Sequence, residues 1–430
     1  MSTSTTSAPR ELMVSNVSEN LIGSEILKLA GEVNEKIKKG EKIYNLTIGD
    51  FNSKIFPIPA ELKEEIVAAY QHDETNYPPA DGIPELRNAV CHFLSRNHEF
   101  DYKPENIIIA CGARPIIYSI YKTIIDPGDT VIFPVPSWNN NHYVHLSSAK
   151  SVMIETSAEN NFMPTASDLK KHVKDATLIS LCSPLNPTGT VFAQEKLAEI
   201  CDLILEENSR REKGRKPLYL MYDQIYWMLT FGNTRHCDPV SLRPEMKEYT
   251  LFVDGISKAF AATGVRVGWG IGPKRVIDKM KTMLGHVGAW APKPEQVASA
   301  RYLMNDAAVD KYLAAIRKSI EDRLVAFHKG FQSLKKEGLK VDSIAPQAAI
   351  YLTVQFALHG KRTQDGNTLS TTKDITKYIL DEAKVAVVPF YAFGASEESS
   401  WYRLSVGTCK LEDVEGIIVS LKNALKKLSS

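Results

Sequence analysis

Four short apolar runs set the architecture: IIIACGA from Ile107, TVIFPVP from Thr130, TLISLCSP from Thr177 and PLYLMYD from Pro217. Each is followed by a stretch long enough for a helix, and each ends in small or polar residues. Strands apolar on both faces and separated by helices imply a mostly parallel sheet covered on both sides, an α/β fold. Such sheets bind ligands at the carboxyl ends of their strands, where this chain places its polar residues.

At 430 residues the chain can bury a large core. A hydrophobic content of 43%, a charged content of 24% and a formal net charge of +1 leave no excess to attract nucleic acid or an anionic membrane. No apolar run spans a bilayer, and the N-terminal MSTSTTSAPR lacks the charged-then-apolar order of a signal peptide, so a cytoplasmic protein is expected. The six cysteines form no CxxC pair and read as reduced thiols.

Residues 1–15 are expected to be a disordered tail. A helix is predicted over about Ser24 to Lys39, and Gly49 interrupts the extended run that follows. A second helix starts near Pro84, where proline loses no hydrogen bond. Beyond Gly272 come VIDKMKTML and a long amphipathic stretch from about Gln296 to Lys336. The remainder reads as three strands, AIYLTVQF, KVAVVPF and YRLSVG, with helices near Lys373 to Ala383 and Glu412 to Leu428. The expected division is a large domain over 56–309 and a small one built from 16–55 and 310–430.

Lys258 stands among Phe252, Val253, Ile256 and Phe260, an environment that lowers the pKa of an ammonium and suits Schiff-base chemistry with an aldehyde. Arg266, Ser257 and nearby glycines add groups that suit a phosphate. Asp223 ends a buried strand and needs a cationic partner. Asn186 sits in the rigid turn SPLNPTG, and Gly112 and Ala113 stand where a strand enters a helix, so free N–H groups there could hold an anion. Arg403 lies in an apolar strand and calls for an anion. His142 and His145 lack acidic or cysteine partners, and no metal site is expected.

The pattern Ser-Lys-x-Phe-x-x-x-Gly-x-Arg-x-Gly over residues 257–268 resembles the class I aminotransferases, pyridoxal-phosphate enzymes of fold type I. The resemblance extends from about Ser24 to the C-terminus. It implies a large domain with a mostly parallel seven-stranded sheet between helices, and a smaller α+β domain built from both chain ends. By the same resemblance Lys258 carries pyridoxal 5'-phosphate, Asp223 holds its ring nitrogen protonated, and Tyr226 of Asp-Gln-Ile-Tyr bonds its phenolic oxygen. Gly112, Ala113, Arg114, Ser257 and Arg266 then surround the phosphate, and Trp138 stacks on the ring. Asn186 contacts both the phenolic oxygen and the substrate carboxylate, Gly49 lies near that carboxylate, and Arg403 grips it. Asp50-Phe51 stands where the family has Glu-Pro. Tyr77, in Tyr-x-x-x-x-Gly-x-x-x-Leu-Arg, is expected to reach the phosphate of a neighbouring subunit, which implies a homodimer.

The expected reaction is transamination between a small-molecule amino acid and a 2-oxo acid. Arg114 aligns with a lysine that binds the distal carboxylate in one branch of the aspartate aminotransferases, so aspartate or glutamate with 2-oxoglutarate is the favoured pair. An aromatic or broad-range aminotransferase, or a lyase on the same fold, is the alternative. An effector domain of a transcription regulator would need a DNA-binding domain, for which the segment before Ser24 is too short.

Overall fold

The computed structural model describes residues 13–23, 25–96 and 102–429. Most of the tail expected over 1–15, and Ser24 itself, lie outside them. The strands are β1 (Tyr44–Asn45), β2 (Ile107–Ala110), β3 (Thr130–Val135), β4 (Lys150–Glu155), β5 (Ala176–Cys182), β6 (Tyr219–Asp223), β7 (Thr250–Gly255) and β8 (Gly268–Ile271). After these come β9 (Val341–Ser343), β10 (Tyr351–Phe356), β11 (Val385–Ala386), β12 (Val388–Pro389) and β13 (Trp401–Ser405).

Seven of them form one sheet in the order β2-β8-β7-β6-β5-β3-β4. All its pairings are parallel except the two made by β8. Every residue of β2 and β7 is buried, as a sheet covered on both faces requires. The four apolar runs became β2, β3, β5 and β6. The edge strand β4 escaped the apolar-run criterion because Lys150, Ser151 and Glu155 face water. GWGI, read only as glycine-rich, is the antiparallel β8. Its glycines are a packing requirement: a Cβ on Gly268 would lie 2.5 Å from the carbonyl carbon of Gly112, and one on Gly270 would lie 2.8 Å from Ile116 Cγ2.

A second sheet has four strands in the order β12-β13-β10-β9. Here the expected three strands need correction. KVAVVPF divides into β11 and β12, and VDS adds β9. β11 leaves this sheet to pair in parallel with β1, Tyr44 opposite Val385 and Asn45 opposite Ala386, so the two ends of the described chain join in one small unit. The long amphipathic stretch is two helices, Lys293–Leu303 and Asp306–Lys336, separated at Met304–Asn305; the Asn305 side chain caps the second by accepting from Ala308 N–H. The predicted N-terminal helix runs from Glu25 to Lys38 and the one at Pro84 from Pro84 to Ser95.

Candidate active site

The carboxyl ends of the parallel strands open into a cavity of ≈ 560 Å³ between the large sheet and the small unit. β6 ends on Asp223, and the turn after it carries Tyr226. β5 leads into the Asn186 turn. β7 runs into the one-turn helix Ile256–Ala259 that holds Lys258. From the small unit β13 supplies Arg403, and the segment after β1 supplies Gly49 and Asp50.

The lysine amine donates to the Gly49 carbonyl at 2.7 Å. Burial depresses its pKa to about 8; Asp50 opposes this, and Arg403, Arg114 and Arg266 reinforce it. The Asp223 carboxylate accepts from Ile225 N–H at 3.1 Å. Burial pushes its carboxyl up to about 6, against the pull of that bond and of Lys258. Arg403 is 2% exposed, yet its partners are neutral: it donates to Asn186 Oδ1 at 3.0 Å and to Thr47 O at 2.6 Å. Its Nε has no partner. A buried fork with neutral partners is the arrangement that an incoming carboxylate completes.

Helix Ala113–Ile124 starts beside Arg266, with Gly112 at its N-cap in a left-handed conformation (φ 87°). A Cβ there would lie 2.3 Å from Arg266 Nη2, so glycine lets the guanidinium reach the helix terminus. Arg266 donates to Thr263 O at 2.8 Å and Cys111 O at 2.9 Å. Free N–H groups, a guanidinium and the Ser257 side chain in the cavity wall make a cradle suited to a phosphate. Asp50, in the place of the family's glutamate, accepts from Thr263 Oγ1 at 2.6 Å.

Gly49, Ala113, Arg114, Trp138, Asn186, Asp223, Tyr226, Ser257, Lys258, Arg266 and Arg403 all line this one cavity. Gly112 borders it through Arg266. Arg114 lies over the Trp138 ring, 4.7 Å from its centroid, so the two side chains form one wall. Tyr77 is not brought in. It is 81% exposed and meets Trp290 edge-on, with centroids 5.2 Å apart. Sequence reasoning missed Tyr351, whose hydroxyl lies 2.6 Å from that of Tyr226, along with Asn140, Tyr143, Ser180 and Thr263. The strand AIYLTVQF was visible, but its pairing with the Tyr226 turn is long-range and leaves no local signal.

Among the described residues no group of three or more His, Cys, Asp or Glu could hold a metal ion, and no helix is long and apolar enough to cross a membrane. His145 instead bonds the Val17 carbonyl at 2.8 Å.

The family model "Aminotransferase class I and II" matches residues 41–421. A curated relative, an aspartate aminotransferase of Rhizobium meliloti (strain 1021), is 30% identical over 411 residues, covering 95% of this chain and 93% of the relative. The crystal structure of an aspartate aminotransferase from Rhizobium meliloti superposes with a TM-score of 0.87 at 27% identity, over 97% of this chain and 100% of that one. An aromatic aminotransferase from Pyrococcus horikoshii OT3 does so with a TM-score of 0.80 at 26% identity, over 92% and 98%. With a match that takes in every charged residue of the cavity wall, the chain belongs to the class I and II aminotransferases and is a transferase of that kind.

Proposed function

We propose that this aminotransferase uses pyridoxal 5'-phosphate to move an amino group between aspartate or glutamate and 2-oxoglutarate, as a cytoplasmic homodimer. The observation that carries the reading is a charge imbalance in the cavity. Arg114, Lys258, Arg266 and Arg403 converge there, and among the described residues only Asp50 and Asp223 answer them. A cationic excess of this kind suits a phosphate and the carboxylates of a dicarboxylic substrate.

In this reading the helix terminus at Gly112 and Ala113, with Ser257 and Arg266, holds the phosphate. Asp223 would hold the ring nitrogen and its proton, a partner for a carboxylate that burial otherwise penalises. Tyr226 and Asn186 bond the phenolic oxygen, and Trp138 lies against the ring. Lys258 binds the cofactor covalently. With its amine depressed to about 8, the side chain would serve as the base that takes and returns the substrate's α-proton. Bound cofactor supplies the electron sink. Arg403, backed by Asn186 and Gly49, takes the α-carboxylate, and Arg114 takes the distal one. Tyr77 serves the neighbouring subunit's phosphate. The same reading divides the chain into a large domain over 56–309 and a small one over 16–55 and 310–430, with the β1–β11 pairing as support.

Initial rates with 2-oxoglutarate and aspartate, phenylalanine or alanine, with products identified, test the substrate assignment. Arg114→Gln should lower kcat/KM for aspartate by roughly 10–100-fold, the worth of a charge-assisted hydrogen bond, and change alanine by less than about threefold. Equal losses for every donor would remove the distal-carboxylate role, and faster turnover of phenylalanine would favour an aromatic enzyme.

A further inference from the structure

We infer that Tyr351 is a positioning residue for transamination, its hydroxyl orienting Tyr226 and its ring holding the guanidinium of Arg403. The inference rests on the cofactor reading above, and three observations carry it. First, Tyr351 opens β10 in the small unit and is 2% exposed, yet its hydroxyl lies 2.6 Å from that of Tyr226 in the large unit. Second, the Arg403 guanidinium lies between two aromatic faces, 4.7 Å from the Tyr351 centroid and 4.9 Å from that of Phe393. Third, two glycines let the chain close on this residue. A Cβ on Gly189 would lie 2.3 Å from the Tyr351 carbonyl oxygen, and one on Gly49 would lie 2.8 Å from its hydroxyl. Tyr351 therefore touches the Asn186 turn, the Gly49 segment, Tyr226 and Arg403 at once.

A count of protons gives the hydroxyl pair its direction. Each phenol has one hydrogen to donate. If Tyr226 gave its hydrogen to Tyr351, nothing would remain for the cofactor's phenolic oxygen. Tyr351 must therefore donate to Tyr226, which leaves the Tyr226 hydrogen for the cavity. Hydrogen bonds in such a chain polarise one another, so the outer hydroxyl strengthens donation by the inner one. Stronger donation favours the anionic phenolic oxygen, and with it the deprotonated form of the lysine-bound cofactor. On the other side, contact of Arg403 with two rings restrains its fork before a carboxylate arrives.

The two roles separate in two holoenzyme variants. Tyr351→Phe removes the hydroxyl and keeps the ring. The midpoint of the pH titration of the visible cofactor band should rise by about half to one pH unit, the scale of one lost hydrogen bond, with the amino acid KM within about twofold of wild type. Tyr351→Leu removes both, and should add a roughly tenfold rise in KM to the same shift in midpoint. An unshifted midpoint in Tyr351→Phe would overturn the positioning of Tyr226, and that readout stands even if the leucine variant folds poorly. A wild-type KM in a folded Tyr351→Leu would overturn the role toward Arg403. A wild-type protein without a visible band in pyridoxal phosphate would instead remove the cofactor reading and this inference together, which separates the two failures.

Discussion

Asp223 and Lys258 each carry an electrostatic penalty from burial. For Asp223 the folded pKa of about 6 lies above the ordinary 3.8, so the penalty is absent below about pH 4 and complete above about pH 6. Asp223→Asn should therefore stabilise the cofactor-free protein at pH 7 by about 3 kcal/mol in urea unfolding, and have little effect near pH 4, while weakening pyridoxal phosphate binding. For Lys258 the folded value of about 8 lies below 10.5, so its penalty is present below pH 8 and fades as pH rises toward 10.5. Lys258→Met should stabilise the cofactor-free protein at pH 7 and lose that advantage above about pH 10. Variants that track wild type at every pH would show that neither group is desolvated as the geometry requires. Both residues were legible in the sequence because an ionisable group inside an apolar run is a local contradiction. Tyr351 posed no such contradiction, since a tyrosine at the start of an apolar strand is ordinary core.

The elements differ in legibility for a similar reason. β2, β3, β5 and β6 are buried on both faces and announce themselves as apolar runs, whereas β4 has a solvent face and β8 is half glycine. The β8 glycines are fixed by what lies across from them, which a single sequence does not display. Two glycines of one motif make the point. A Cβ on Gly268 would collide with the backbone of Gly112 and Ala113, at 2.5 and 2.8 Å, whereas one on Gly264 would meet nothing within 4 Å. Gly268→Ala should cost about 1–3 kcal/mol and weaken pyridoxal phosphate binding by displacing the helix terminus. Gly264→Ala should stay within about 0.5 kcal/mol of wild type. Equal effects of the two substitutions, in unfolding and in cofactor titration, would contradict this packing account.

At the scale of the molecule, two sheets meet at one cavity: the large sheet supplies Asp223, Tyr226 and Lys258, and the small unit supplies Gly49, Tyr351 and Arg403. The chain order of these residues is legible in the sequence, but their convergence depends on pairings such as β1 with β11, two-residue strands far apart in the chain. Tyr77 stands outside its own chain's cavity, consistent with service to a second copy. If so, mixing Lys258→Ala with Tyr77→Ala under exchange conditions should form mixed dimers with one intact site, and raise activity above the sum of the separate proteins. No gain on mixing, or full activity in a species that sediments as a monomer, would contradict the shared site. A lysine-bound cofactor that exchanges amino groups with a dicarboxylic amino acid would show itself in the absorbance spectrum of the pyridoxal-phosphate-loaded protein before and after aspartate is added. The expected result is a visible band that aspartate bleaches to a near-ultraviolet one and that 2-oxoglutarate then restores. A protein that forms no visible band, or whose band neither acid changes, would contradict it.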